Sequence, residues 1–141
     1  MQQKTLPRGR ETILLVEDDE TLRPLTRNCL ENAGYTVLEC AHGAAALEVV
    51  AQEIRRIDLL FTDVIMPRMS GPQLAHAVLA LCPKMKVLYM SGYTDDLIAE
   101  HGALDQGVLL LEKPFTLESL LNKVRIVLDT HAQANAAGTG R

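Results

Sequence analysis

Tryptophan is absent from this chain, and aromatic residues make up only 4% of it. Its core therefore has to be aliphatic. Cysteine is scarce as well: Cys29, Cys40 and Cys82 are an odd number and form no C-x-x-C pair. That pattern supports neither a disulfide framework nor a zinc knuckle, and reads as reduced, packed thiols in a cytoplasmic protein. There is no excess of positive charge. The net charge of -4 argues against a nucleic-acid-binding surface. Long apolar runs are missing too; Val108–Leu111 is typical, and far too short to span a bilayer. Met1–Glu11 is polar and gives no sign of a signal peptide, so no membrane contact is expected. A length of 141 residues suits one domain.

What the chain does have is alternation. Short apolar runs rich in β-branched residues occur at Thr12–Val16, Thr36–Cys40, Ile57–Thr62, Lys86–Met90 and Val108–Leu111. Each is too short for a helix and apolar on both faces, as a buried strand is. Segments with helical spacing lie between them. Leu22, Leu25, Cys29 and Leu30 form one stripe that stops at Gly34, with Pro24 about one turn in. Ala44–Ile54, Pro72–Leu81, the short Thr94–His101 and Thr116–Leu128 follow, the last with Thr116 as N-cap. Strand then helix, five times over, predicts a parallel sheet covered on both faces. Residues 1–11 read as an arm or linker, 12–129 as the domain and 130–141 as a flexible tail.

In such a sheet, ligands bind beyond the carboxyl ends of the strands. Strand one runs into Glu17-Asp18-Asp19, strand three into Asp63, strand four into Ser91 and strand five into Glu112-Lys113-Pro114. Carboxylates gathered there repel: at about 4 Å and an effective dielectric of 20, each close pair costs roughly 4 kcal/mol. A hard divalent cation relieves this, and Mg²⁺ suits a site with few carboxylates. Lys113 adds a fixed positive charge and Ser91 a hydroxyl. A carboxylate, a metal, a lysine and a hydroxyl around one point are what phosphoryl transfer needs, and a carboxylate can itself be the nucleophile.

The motifs ILLVEDD (13–19), LLFTDVIMPRMSG (59–71), VLYMSGYTDD (87–96) and LEKPFT (111–116) resemble the receiver domain of two-component response regulators. The resemblance covers residues 12–129 and is closest in style to the C-terminal receiver of a hybrid sensor histidine kinase. It implies a flavodoxin-like α/β fold, (βα)5, with sheet order 2-1-3-4-5. It further implies that Asp63 is the phosphoacceptor in a phosphorelay. Glu17 and Asp18 would bind Mg²⁺ together with Asp63 and the backbone carbonyl of Ile65, Asp18 being the more direct ligand. Asp19 would start the first helix. Ser91 and Lys113 would contact the phosphoryl group, and Lys113-Pro114 would carry a cis bond. The aromatic switch position of many receivers falls at Leu110, and Tyr93 is the nearest aromatic to substitute for it.

The partner implied is a histidine kinase or a histidine phosphotransfer domain, docking on the first-helix face with Leu22, Arg23 and Leu25. A homodimer through helix four, strand five and helix five is a common family arrangement. Such a protein catalyses its own phosphorylation and dephosphorylation and is no turnover enzyme. Both an excised and a stand-alone receiver stay open.

Three other readings compete. A pseudo-receiver would bind partners without phosphorylation. A haloacid-dehalogenase-type phosphatase wants a second Asp two residues after the first, where Ile65 stands. A flavodoxin-type cofactor binder would not place Glu17-Asp18-Asp19 against a phosphate. His42, His76, His101 and His131 have no metal-site spacing and read as surface residues. Met66, Met69, Met85 and Met90 read as core or loop filling.

Overall fold

A computed structural model describes residues 5–92 and 109–130. Five strands, β1 (Thr12–Val16), β2 (Thr36–Cys40), β3 (Leu59–Asp63), β4 (Lys86–Ser91) and β5 (Leu109–Glu112), pair in parallel in the order β2-β1-β3-β4-β5. Four helices are described: α1 (Leu22–Asn32), α2 (Gly43–Glu53), α3 (Gly71–Leu81) and α4 (Leu117–Asp129). The helical segment expected at Thr94–His101, and with it His101, Tyr93, Val108, His131 and the tail beyond Thr130, lies outside the described residues.

Alternation along β1 explains the layering. Ile13 and Leu15 face one side of the sheet and join Leu30 of α1 and Leu120, Val124 and Val127 of α4 in one apolar core. Leu14 and Val16 face the other side and join Val50 of α2 and Leu74 and Val78 of α3 in a second. Both sets are fully buried in β1, and each such side chain contributes about 1.5–3 kcal/mol by leaving water. Phe61 fills the first core; otherwise both are largely aliphatic, as the scarcity of aromatics required.

Boundaries differ from the sequence reading in instructive ways. The third strand begins at Leu59, not Ile57, and runs on through Asp63. Asp58 explains the late start: its carboxylate accepts from the Thr12 N–H at 2.9 Å and its own N–H donates to the Thr12 carbonyl at 2.8 Å. The pair fastens the entrances of β1 and β3 outside the ladder. At the other end β4 and β5 each extend one residue further than expected, to Ser91 and Glu112, because the Lys113 N–H continues the ladder to the Ser91 carbonyl at 2.8 Å. The second helix starts one residue early, at Gly43, capped by exposed His42, whose Nδ1 accepts from the Ala45 N–H. Thr116 caps α4 as expected, in a reciprocal box with Ser119. Gly34 ends α1 with φ 108°, a conformation that favours glycine.

Residues 5–11, read as part of an arm or linker, run against the domain. The Gly9 N–H donates to the Ala33 carbonyl, Leu6 packs on the α1/α4 core, and Arg125 of α4 reaches the Arg8 carbonyl and the Glu11 carboxylate.

One close approach sets the shape of the loop after β3. The Gly71 N–H donates to the Val64 carbonyl at 2.7 Å, and a Cβ on Gly71 would stand 2.1 Å from the Asp63 carbonyl oxygen. The obstacle is backbone and cannot swing away. Gly71→Ala is expected to lower stability by about 2–3 kcal/mol, read as a lower urea midpoint, and to shift the amide resonances of residues 63–65.

Candidate functional site

Parallel pairing brings the strand ends to one rim. Val16 stands beside both Cys40 and Thr62, Asp63 beside Met90, and Ser91 beside Glu112. The residues that follow must therefore meet at that rim, and they do. Glu17, Asp18, Asp63, Ser91 and Lys113 line a single cleft, with Ile65 and Phe115 at its walls.

Glu17 and Asp63 are buried and Lys113 lies between them. The Lys113 ammonium is 2.8 Å from Glu17 Oε1 and 2.7 Å from Asp63 Oδ1. Burial pushes the Asp63 carboxyl up to about 9, and the hydrogen-bonded Glu17 beside it pushes the same way against the pull of Lys113. Burial would raise Glu17 too, but Asp63, Lys113 and the Asp19 N–H outweigh it and hold that carboxyl below its ordinary value. Without a further cation, burial and the Glu17 carboxylate therefore favour the protonated form of Asp63. Burial works against the Lys113 charge, yet the two carboxylates more than offset it and keep the ammonium protonated.

Glu17, Asp18 and Asp63 each offer a carboxylate oxygen, and the three oxygens lie within 4.8 Å of one another. Glu17 Oε1 is buried, and its partner is the Lys113 ammonium at 2.8 Å. Three hard oxygen donors this close together, two of them from buried residues, fit a small divalent cation. Asp18 is exposed at the cleft mouth. Asp19, expected to start the first helix, lies three residues before α1, whose N-cap is Thr21; its Oδ1 accepts from the Thr21 and Leu22 N–H groups in the turn that leads in.

Of the other expected site residues, Ser91 is buried in the cleft wall. Ile65 is 43% exposed beside the carboxylates. The Lys113–Pro114 bond is cis. Leu110 is half-buried on β5, packed on the α2/α3 side, and its neighbour across the sheet is Tyr89, buried on β4, an aromatic that the sequence reading passed over. Arg23 was placed with Leu22 and Leu25 on an outward face. Leu25 is indeed 57% exposed, but the Arg23 side chain is only 14% exposed and turns back toward the acidic loop. The sequence held one signal for this: Glu39, an acid inside an apolar strand, calls for a cation.

Residues 13–125 match the family described as the response regulator receiver domain. The chain is 36% identical over 121 residues to the sensor kinase CckA of Brucella abortus (strain 2308), covering 86% of this chain and 13% of that protein. It is 34% identical over 116 residues to the response regulator receiver protein CpdR of the same organism, covering 82% of this chain and 95% of that one. The crystal structure of the receiver domain from the hybrid histidine kinase CckA superimposes with a TM-score of 0.72 at 34% identity, covering 84% of this chain and 99% of that one. This chain belongs to the response regulator receiver family of two-component phosphorelay signalling. No helix among the described residues is long and apolar enough to cross a membrane.

A protonated, buried Asp63 has a thermodynamic signature. Its folded value lies above its ordinary 3.8, so the folded state binds more protons than the unfolded state between about pH 4 and 9. Metal-free stability must then fall as pH rises through that window. Asp63→Asn removes the effect. The variant is expected to be more stable than wild type in EDTA at pH 8, by on the order of 1–3 kcal/mol. That gain should shrink toward zero near pH 4, as followed by urea unfolding at each pH.

Proposed function

We propose that this chain accepts a phosphoryl group from a phosphohistidine onto Asp63, with Mg²⁺ bound by Glu17, Asp18, Asp63 and the backbone carbonyl of Ile65, and that the change alters its contacts with partners. The observation that carries this reading is the gathering of three carboxylate oxygens within 4.8 Å, two of them from buried residues, against a lysine 2.7 Å from Asp63. A histidine kinase or histidine phosphotransfer domain is the donor, and residues 12–129 are the working unit.

When bound, Mg²⁺ supplies the positive charge that lets three carboxylates ionise together and that attracts phosphoryl oxygens. Asp63 then loses the proton that it holds in the metal-free state. As a carboxylate it attacks phosphorus. The bond from phosphorus to the donor's ring nitrogen breaks, its electron pair stays on that nitrogen, and solvent protonates it. Lys113 remains paired with Asp63 and meets the phosphoryl oxygens with its remaining donors. Ser91, on the same flank as Lys113, supplies a hydroxyl hydrogen bond. Burial of Glu17 and Asp63 keeps the surroundings of low dielectric, so each of these charges counts for more than it would in water.

Incubation with a small acyl phosphate and Mg²⁺, read by intact mass, tests the proposal. Wild type is expected to gain one phosphoryl group, Asp63→Asn none, and Lys113→Ala to react at a rate lower by roughly 10²-fold. No gain in wild type, or an equal gain in Asp63→Asn, defeats it.

A further inference from the structure

The loop that carries the acidic pair is short and crowded with negative charge. Glu17, Asp18, Asp19 and Glu20 are consecutive acids. Asp18, the exposed member of the candidate metal set, has no side-chain partner among the described residues. The direction in which its carboxylate points is therefore inherited from its backbone, that is, from the peptide unit that joins it to Glu17.

That peptide unit is held by one residue. The Arg23 guanidinium donates from Nη1 to the Glu17 carbonyl at 2.9 Å. Its Nη2 pairs with Glu20 Oε1 at 2.6 Å, at the far end of the loop. Its Nε reaches Glu39 Oε1 of β2 at 3.3 Å. The Arg23 backbone N–H also donates to the Asp19 carbonyl at 3.0 Å. Glu39 is fixed in turn by Arg27, and it sits beside Leu15 in the sheet register, so the anchor belongs to the rigid part of the fold. One planar fork thus ties both ends of the acidic loop to the neighbouring strand.

We propose that Arg23 is a positioning residue: by clamping the Glu17 carbonyl and Glu20 onto Glu39 it sets the backbone from which Glu17 and Asp18 present their carboxylates to a divalent cation. The inference rests on the receiver reading above and deepens it. Its electrostatic sign makes it testable. A cation close to a metal site repels the metal, so a purely electrostatic role for Arg23 would make its removal strengthen Mg²⁺ binding. A positioning role makes loss of the fork weaken binding. Arginine and lysine carry the same charge, but lysine offers a single ammonium and cannot span three acceptors in a fixed plane.

The experiment compares wild type, Arg23→Lys and Glu39→Gln. Two quantities are measured: the Mg²⁺ dissociation constant, from amide-shift titration of residues 17–20 at fixed ionic strength, and the urea midpoint in EDTA. Arg23→Lys is expected to bind Mg²⁺ roughly tenfold more weakly, the loss typical of a group that orients a metal ligand without touching the metal. Glu39→Gln, which leaves Arg23 in place but removes its charged anchor, should weaken binding in the same direction by less, and adding it to Arg23→Lys should cost little more. Unchanged or tighter Mg²⁺ binding in Arg23→Lys overturns the proposal, as does a lowered urea midpoint with Mg²⁺ affinity intact. Should Arg23→Lys fail to fold, unchanged affinity in Glu39→Gln overturns it instead. If wild type itself binds no Mg²⁺ or gains no phosphoryl group at Asp63, the receiver reading falls, and this inference falls with it. If wild type does both and the variants bind Mg²⁺ as it does, only the clamp is wrong.

Discussion

The Lys113 ammonium lies 2.8 Å from Glu17 and 2.7 Å from Asp63, at the end of a sheet whose two faces are apolar. Two carboxylates and one ammonium leave a residual negative charge in a place from which water is largely excluded, and the structure offers two ways to neutralise it. A proton on Asp63 is one, and a divalent cation that also engages Asp18 is the other. The two exclude each other, because the cation needs the oxygens that the proton occupies. Much of the surrounding architecture follows from keeping that choice open. The rim is lined by backbone groups committed to the ladder, such as the Lys113 N–H on the Ser91 carbonyl and the Val64 N–H on the Met90 carbonyl, so it does not collapse onto the carboxylates.

The sheet order does the rest. With β1 and β3 adjacent, Glu17 and Asp63 emerge next to each other, although they lie far apart in sequence. With β4 and β5 on the same flank, Ser91 and Lys113 close the cleft from the other side. Gly71 fits under this arrangement because the turn that leaves Asp63 comes back within 2.1 Å of where a side chain would be. Asp63 is therefore backed by the main chain at Gly71 and flanked by charges that follow separate strands.

Most of this was legible before any coordinates, for a definite reason. Strand ends can be read from the end of an apolar run, and Glu17, Asp18, Asp63, Ser91 and Lys113 each stand at or just beyond one. What could not be read depends on side-chain direction and on contacts between distant segments. Arg23 was grouped with Leu22 and Leu25 as a docking face, yet its long side chain doubles back to the Glu17 carbonyl, Glu20 and Glu39, a choice made by groups outside the helix. Asp58 near the start of its apolar run already pointed to a later strand start, and its side-chain bond to the Thr12 N–H supplies the reason. Residues 5–11 show no apolar period, and their contacts with Ala33 and Arg125 become visible only when α1 and α4 are in place.

The two ends of β1 carry opposite kinds of electrostatics. At its entrance, Glu11 meets Arg125, whose guanidinium also reaches Asp129 and the Tyr35 hydroxyl. The side-chain hydrogen bond from Arg125 holds the Glu11 carboxyl down, from 4.5 to about 2, so this pair stabilises the fold above the ordinary carboxylate range and is lost as pH falls toward 2. Both partners are partly in water, which keeps its contribution modest. At its exit, the raised Asp63 acts in the reverse sense: its cost is absent in acid and grows as pH rises toward 9. The metal-free fold is thus pressed from both sides and best tolerated in mild acid. A cation in the cleft relieves only the exit, and only where Asp63 would otherwise be asked to ionise. Binding at that end is therefore coupled to stability most strongly at neutral and higher pH.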